Sequence, residues 1–472
     1  MRQPDSPGDG SVARRRHRRW HRAVAPIVTG AIAAAMLTAC GGAGGTSDVT
    51  ADNFASKLTD EPITLRFIWF EWPPAHALEK LANEHYKKVR PNVTVKVNTV
   101  PIAQWHDAIF TQFAARKTNF DVPILDSQYI GEAVTNGNIL ELTDFVRKHV
   151  DRAAYNPAFL GAYGQYPQAK TGEADPDAKM YGLPLMGDTW AMVWRKDLIK
   201  EAPADWNDMI AKAAACQRAH PGMSGFAFQQ ANATDAAATP YAAVNGAYGG
   251  RLWDADGKKV DGVINDAAGQ EAMRVLIEQM KPLTAKGSGN WFIDEVNAAL
   301  NQGKTCYAFQ WIGAMPGMLD PKQSTLGTSP AEIAGKLGFA ALPKGEKSDA
   351  IPLGGMGMHI SKYADSPAQA EALNFMKWFQ SSDVQRTWAE LGGIPGRTDV
   401  VNSPAFLEIA PYNKAFTESL PRLRDFWNLP EYAKLMDILT TNVNAALNGT
   451  LAPDAALNKI ARDQQAVLDQ SR

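Results

Sequence analysis

A repeated alternation of short apolar runs with helix-spaced segments is the feature that most narrows the folds open to this chain. Residues 63–70 form a β-branched and aromatic run just after Pro62, residues 75–89 carry Leu78, Leu81, His85 and Val89 at helical spacing, and residues 93–100 alternate Val with polar side chains. That reads as strand, helix, strand. The rhythm repeats as a helix over 105–116, a buried strand over 122–125 and a helix over 129–136 ended by Gly137. Such βαβ alternation predicts a parallel sheet with helices on both faces.

A Pro-, Gly- and acid-rich stretch, 155–180, reads as a loop ahead of a strand at 190–194. A second α/β block follows: helix 206–216, strand 226–228, helices 268–280 and 294–301, and strand 305–310. Strand 337–342, the segment 354–360, helices 367–379 and 383–391 and a helical C-terminal stretch to 468 complete it. Two α/β blocks predict two lobes with a cleft between them, because open parallel sheets present ligand sites at the carboxyl ends of their strands.

The N-terminus reads as an address. Arg14, Arg15, Arg16, Arg18, Arg19 and Arg22 precede an apolar stretch, 23–39, that is short and rich in small residues, the pattern of a secretory signal. It ends in Leu37-Thr38-Ala39-Cys40, which resembles the bacterial lipobox and implies diacylglycerol attachment at Cys40. The alternatives are an ordinary signal peptide with an incidental Cys, or an uncleaved anchor. The following Gly-, Ser- and Asp-rich residues complete a flexible tether over 40–61.

Composition removes several classes. The formal net charge is −2, yet residues 1–39 hold seven Arg against Asp5 and Asp9, leaving 41 basic and 48 acidic side chains in the body. A mildly acidic body without a basic, aromatic-interleaved stripe argues against nucleic-acid binding. The body lacks CxxC and HxxxH, and its His residues are scattered, so no metal or other cofactor is expected. Cys216 and Cys306 remain in an oxidising compartment, where they pair or stay buried as small hydrophobes. Of 13 Trp, 12 follow residue 39, and Trp offers a flat apolar face on which sugar rings stack.

Four ordered segments resemble the extracytoplasmic solute-binding proteins of carbohydrate ABC transporters, the maltose- and trehalose-binding class. They are 120–128 with the following 137–142; Gly182-Leu183-Pro184 with 190–198; 303–311; and 338–343 with Gly354-Gly355 and the helix after them. Departures are Trp194-Arg195, where the family has Tyr-Asn, and the stiff Glu71-Trp72-Pro73-Pro74 turn, where it has glycines. The resemblance implies an α/β, bilobal periplasmic-binding fold of two doubly wound lobes joined by a three-segment hinge. Lobe 1 would comprise 62–186 and 353–393, and lobe 2 187–352 and 394–472. It implies a monomeric, non-enzymatic receptor, tethered to the membrane by lipid, that passes a carbohydrate or polyol to a permease with a cytoplasmic ATPase.

A sugar site needs ring faces for stacking and charged or amide groups for hydroxyls. By the resemblance, Glu71 and Trp72 after the first strand, and Asp126, Ser127, Gln128 and Tyr129 after the third, face ligand; helix capping is the other role open to Asp126 and Ser127. Asp188 and Trp190 sit at the lobe crossing, and Trp311 is the stacking tryptophan of the second lobe. Trp253 and Trp291 are lesser candidates. Gly354 and Gly355 would let backbone approach ligand, and Arg397 would fork onto hydroxyls or form a salt bridge. Paired carboxylates such as Glu71 with Asp126 or Asp188 would also suit a glycoside hydrolase, and an envelope adhesin is the third reading.

Overall fold

The computed structural model describes residues 48–167, 175, 177–254, 257–345 and 347–471. The expected signal segment and Cys40 lie outside the described residues.

Strands β1 (Ile63–Phe70), β2 (Val93–Val100) and β3 (Val122–Asp126) run parallel, with Ile63 opposite Val93 and Phe67 opposite Val122. Leu65, Phe67 and Trp69 are fully buried, and Ile68 and Phe70 nearly so, because helices cover both faces. Asp121, just before β3, is itself buried and accepts from the Arg66 guanidinium at 2.6 and 3.0 Å and from the Arg66 amide at 2.9 Å, which pins β1 to β3.

The rest of the sheet is built from β4 (Gly182–Arg195), β5 (Ser224–Ala227), β6 (Thr305–Trp311), β7 (Leu337–Ala341), β8 (Ile351–His359) and β9 (Leu423–Arg424). The order is β2-β1-β3-β8-β4-β6-β5, with β7 also on β4 and β9 on β8. β8 is antiparallel to both β3 and β4, and β6 and β7 are antiparallel to β4, so the expected parallel sheets are joined by antiparallel pairing. β4 links the two halves. Its residues 182–189 pair with β8, while Trp190–Trp194 pair with β6. The expected lobe crossing between 186 and 187 is therefore inside one unbroken, almost wholly buried strand.

Helices Pro73–Leu81, Trp105–Ala114 and Ser366–Phe379 pack on the first half, around Phe67, Phe113 and Phe375. Trp206–Ala219, Ala238–Ala247, Tyr432–Leu447 and Pro453–Gln470 pack on the second, around Trp190, Phe309 and Leu435. Cys216 and Cys306 are disulfide-bonded, with Cα atoms 6.3 Å apart, joining helix Trp206–Ala219 to β6.

Two expectations are corrected. Residues 48–61 are not a free tether: Val49 and Phe54 are buried, and the Phe54 ring lies edge-on to Phe145 at 5.6 Å. The loop expected over 155–180 contains the helix Pro157–Gly164, whose start is fixed by the Asn156 side chain accepting from the Ala158 amide at 2.9 Å and by Pro at its first position.

Candidate ligand-binding cleft

The carboxyl ends of β1, β3 and β6 deliver Trp72, Asp126–Tyr129 and Trp311–Gly313 to the line where the two halves of the molecule meet. Each side chain has a local cause for its position. Asp126 leaves β3 in extended backbone and caps the turn Ser127–Tyr129, its Oδ1 accepting from the Ser127 hydroxyl at 3.2 Å and the Gln128 amide at 3.4 Å. The capping role open to Asp126 is thus the one the turn uses.

Ser127 is buried and donates across the cleft to Asp425 at 3.0 Å, and the Tyr129 ring meets Tyr432 edge-on at 6.0 Å. Burial, then the charges of Asp425 and Asp235, push the Asp126 carboxyl well above its usual range. Asp235 is raised too, mainly by burial, against hydrogen bonds from the Thr239 and Thr234 hydroxyls at 3.1 and 3.2 Å. Burial first, then the neighbouring Tyr129, Asp235, Asp126 and Asp425, push the Tyr432 hydroxyl well above its usual range. The cleft therefore gathers carboxylates and phenols from both halves.

Two indoles frame this cluster. Trp72 is half-buried against Trp69 and Phe70 at 5.2 and 4.6 Å and lies on Gly313, where a Cβ would come within 2.5 Å of its ring. Trp311 lies on Gly354, where a Cβ would come within 2.6 Å. Behind Trp311, Gln310 Oε1 accepts from the Trp311 amide at 3.1 Å and from Gln229 at 2.9 Å, and its Nε2 donates to Asn297 at 3.0 Å. That amide network fixes the end of β6.

Other expected site residues stand elsewhere. Glu71 is on the surface, hydrogen-bonded to Thr99, and it pairs with His76 at 2.5 Å; both hold its carboxyl low. Asp188 is buried, and its Oδ1 accepts from the Thr189 and Gly313 amides at 2.8 and 3.1 Å, so backbone takes the capacity expected for ligand. Trp190 is a core residue stacked on Phe309 at 5.1 Å. Gly354 and Gly355 are approached by Trp311 and by Met186 and Tyr163, not by open cleft. Arg397 donates to Asp399 twice at 2.9 Å and to the Gln380 carbonyl at 3.0 Å, which is the salt-bridge role. Gln128 is buried under the β3 turn. The Trp291 carbonyl accepts from the Gln230 and Ala231 amides at 2.8 and 3.0 Å and steadies the segment leading to Asp235. The Trp253 ring lies tilted against the Trp427 ring at 4.8 Å.

Asp235, Asp425 and Tyr432 were missed. Asp235 follows β5 and could have been found by the strand-end rule, whereas Asp425 and Tyr432 lie around an irregular stretch that carries no periodic signal. Among the described residues no group of His, Cys, Asp and Glu could hold a metal ion.

The family model described as bacterial extracellular solute-binding protein matches residues 72–386. A Sinorhizobium fredii protein named as a probable amino-acid ABC transporter periplasmic-binding protein is 24% identical over 60% of this chain. That match spans 63% of the relative's own length. A binding protein of Brucella abortus is 23% identical over 81% of this chain and 88% of its own. Among solved structures, a maltose-bound MalE protein of T. maritima and a ribitol complex of an Agrobacterium radiobacter ABC transporter solute-binding protein each superpose with TM-score 0.74 at 21% identity. Each superposition covers 86% of this chain and 99% of the other. The GacH receptor of Streptomyces glaucescens, solved with and without acarbose, gives 0.72 at 21% identity over 86% and 98%. These likenesses show the fold to be the bilobal α/β arrangement expected.

Proposed function

Because the chain belongs to the bacterial extracellular solute-binding protein family, we propose that it captures a carbohydrate or polyol in the cleft and delivers it to an ABC import permease. The observation that carries the reading is the convergence of Trp72, Asp126, Tyr129, Asp235, Trp311 and Tyr432 from separate strand ends, the segment after β5 and the start of helix Tyr432–Leu447. Aromatic faces suit the C–H face of a sugar ring, and carboxylates and phenols suit its hydroxyls. Solved relatives of the same fold were crystallised with maltose, ribitol and acarbose, which supports this ligand class. Members of the family bind solutes and are not enzymes, which sets the paired-carboxylate hydrolase aside.

The same reading places the protein outside the cytoplasmic membrane, held by lipid at Cys40, on the strength of the sequence Leu37-Thr38-Ala39-Cys40. Among the described residues no helix is long and apolar enough to cross a membrane. Closure of the two lobes about β4 and β8 would bring ligand contacts from both sides together, so ligand would favour the closed form by its differential affinity.

A thermal-shift panel of disaccharides, polyols, amino sugars and the common amino acids tests the ligand class. The reading expects a rise with at least one carbohydrate and none with amino acids. A rise with amino acids alone would replace it.

A further inference from the structure

We propose that the ligand carries a protonated amine held among Asp126, Asp235 and Asp425, so that the natural ligand is an amino sugar. This rests on the carbohydrate reading above and adds a positive charge to it.

Elsewhere the chain pairs its buried acids. Asp121 takes the Arg66 guanidinium at 2.6 Å and Glu371 takes that of Arg90 at 3.1 Å, in acidic side chains 0% and 1% exposed. Asp188 takes two backbone amides instead. Removing an anion from water is costly unless a cation or several donors replace the water, and these partners do so.

The cleft departs from that pattern. Asp126 and Asp235 form no ion pair among the described residues, and their side-chain hydrogen bonds come from hydroxyls and a backbone amide. The Ser127 hydroxyl lies 3.2 Å from Asp126 Oδ1 and 3.0 Å from Asp425 Oδ1. It has a single proton to donate, so it serves one acid at a time. Asp126 stands within electrostatic reach of both Asp425 and Asp235. Asp126 and Asp235 are only partly buried, so a ligand in the cleft can touch them.

Tyr432 points to a ligand independently. It is 7% exposed, and its hydroxyl makes no hydrogen bond among the described residues. Unlike the Tyr307 hydroxyl, that oxygen is not sealed from solvent. Its neighbours are Tyr129 and the same three acids. The Tyr432 ring meets Tyr129 at 6.0 Å, and Tyr129 meets Trp105 at 5.2 Å. Carboxylates set among aromatic rings suit an ammonium group, which gains from both, and the phenol oxygen can accept a further N–H.

Calorimetry on the whole protein at about pH 6.5, where a sugar amine is charged, tests this. The probes are glucosamine, galactosamine, mannosamine and the chitosan disaccharide, each compared with its hydroxyl parent and its N-acetyl derivative. At least one amine should bind about tenfold or more tighter than both of its neutral counterparts, a gap of about 1.4 kcal/mol. Asp126→Asn and, separately, Asp235→Asn should shrink that ratio toward one, with melting curves showing which variants fold. Neutral sugars bound as tightly as their amines, or a ratio unmoved in the folded variants, overturns the amine while leaving the carbohydrate reading intact. Binding to none of the panel removes the carbohydrate reading and this inference with it.

Discussion

Asp188 shows how one side chain can be placed where ligand was expected and still serve the backbone. It sits in the middle of β4, accepts from Thr189 and Gly313, and so ties the strand shared by both halves to the segment after β6. Burial pushes its carboxyl up to about 7 despite those amides. In the unfolded chain the same group titrates near 3.8. The folded state therefore binds the extra proton between about pH 4 and 7, and stability falls as pH rises through that window. The total is on the order of 4 kcal/mol at most. Asp188→Asn keeps an oxygen that can accept both amides and cannot ionise. Urea denaturation at pH 4.5, 6 and 8 should show the variant gaining on the wild type as pH rises; parallel profiles would mean that Asp188 is not buried as the structure has it. The same scale explains what the sequence could tell of the site. Trp72, Asp126 and Trp311 were legible because each ends a strand whose pattern was clear. For Arg397 the structure takes the salt-bridge alternative, with Asp399, and for Trp190 the core alternative, against Phe309; the choice in each case depends on a partner that no spacing announces.

Among the elements, strands were easier to see than helices that bury every face. β1, β2 and β6 show their patterns directly, but Ala238–Ala247 is buried on nearly all sides, so it carries little periodicity and was passed over. The sequence pattern predicts only a short strand at 190–194, but tertiary pairing with β8 extends β4 back through Gly187 and Pro184. The Cys216–Cys306 disulfide ties two elements of the second half across a sequence separation of 90 residues. A link closing a loop of that length stabilises by about 4.6 kcal/mol in the chain-entropy account. Replacing both cysteines by Ala should lower the melting temperature by several degrees. Ligand affinity should hold within twofold, since Cys306 lies five residues before Trp311 at the far end of β6. A loss of affinity with unchanged melting would instead tie the disulfide to the cleft.

For the whole molecule, the central claim is that a carbohydrate is held between two halves that share one strand. The bilobal α/β class was legible from the βαβ rhythm and the ordered resemblance. The antiparallel joining of the halves and the C-terminal segment's part in the cleft were not, because both depend on pairings between residues far apart in sequence. Ser127 with Asp425, Tyr129 with Tyr432 and Trp72 on Gly313 meet where the two halves join. Any ligand there must touch both sides. Hydrogen–deuterium exchange with and without the first carbohydrate that raises the melting temperature measures this directly. Protection is predicted in peptides covering 126–130, 231–236, 311–315 and 425–432 together. Protection confined to one of these stretches, or lying wholly outside them, would contradict capture between the lobes.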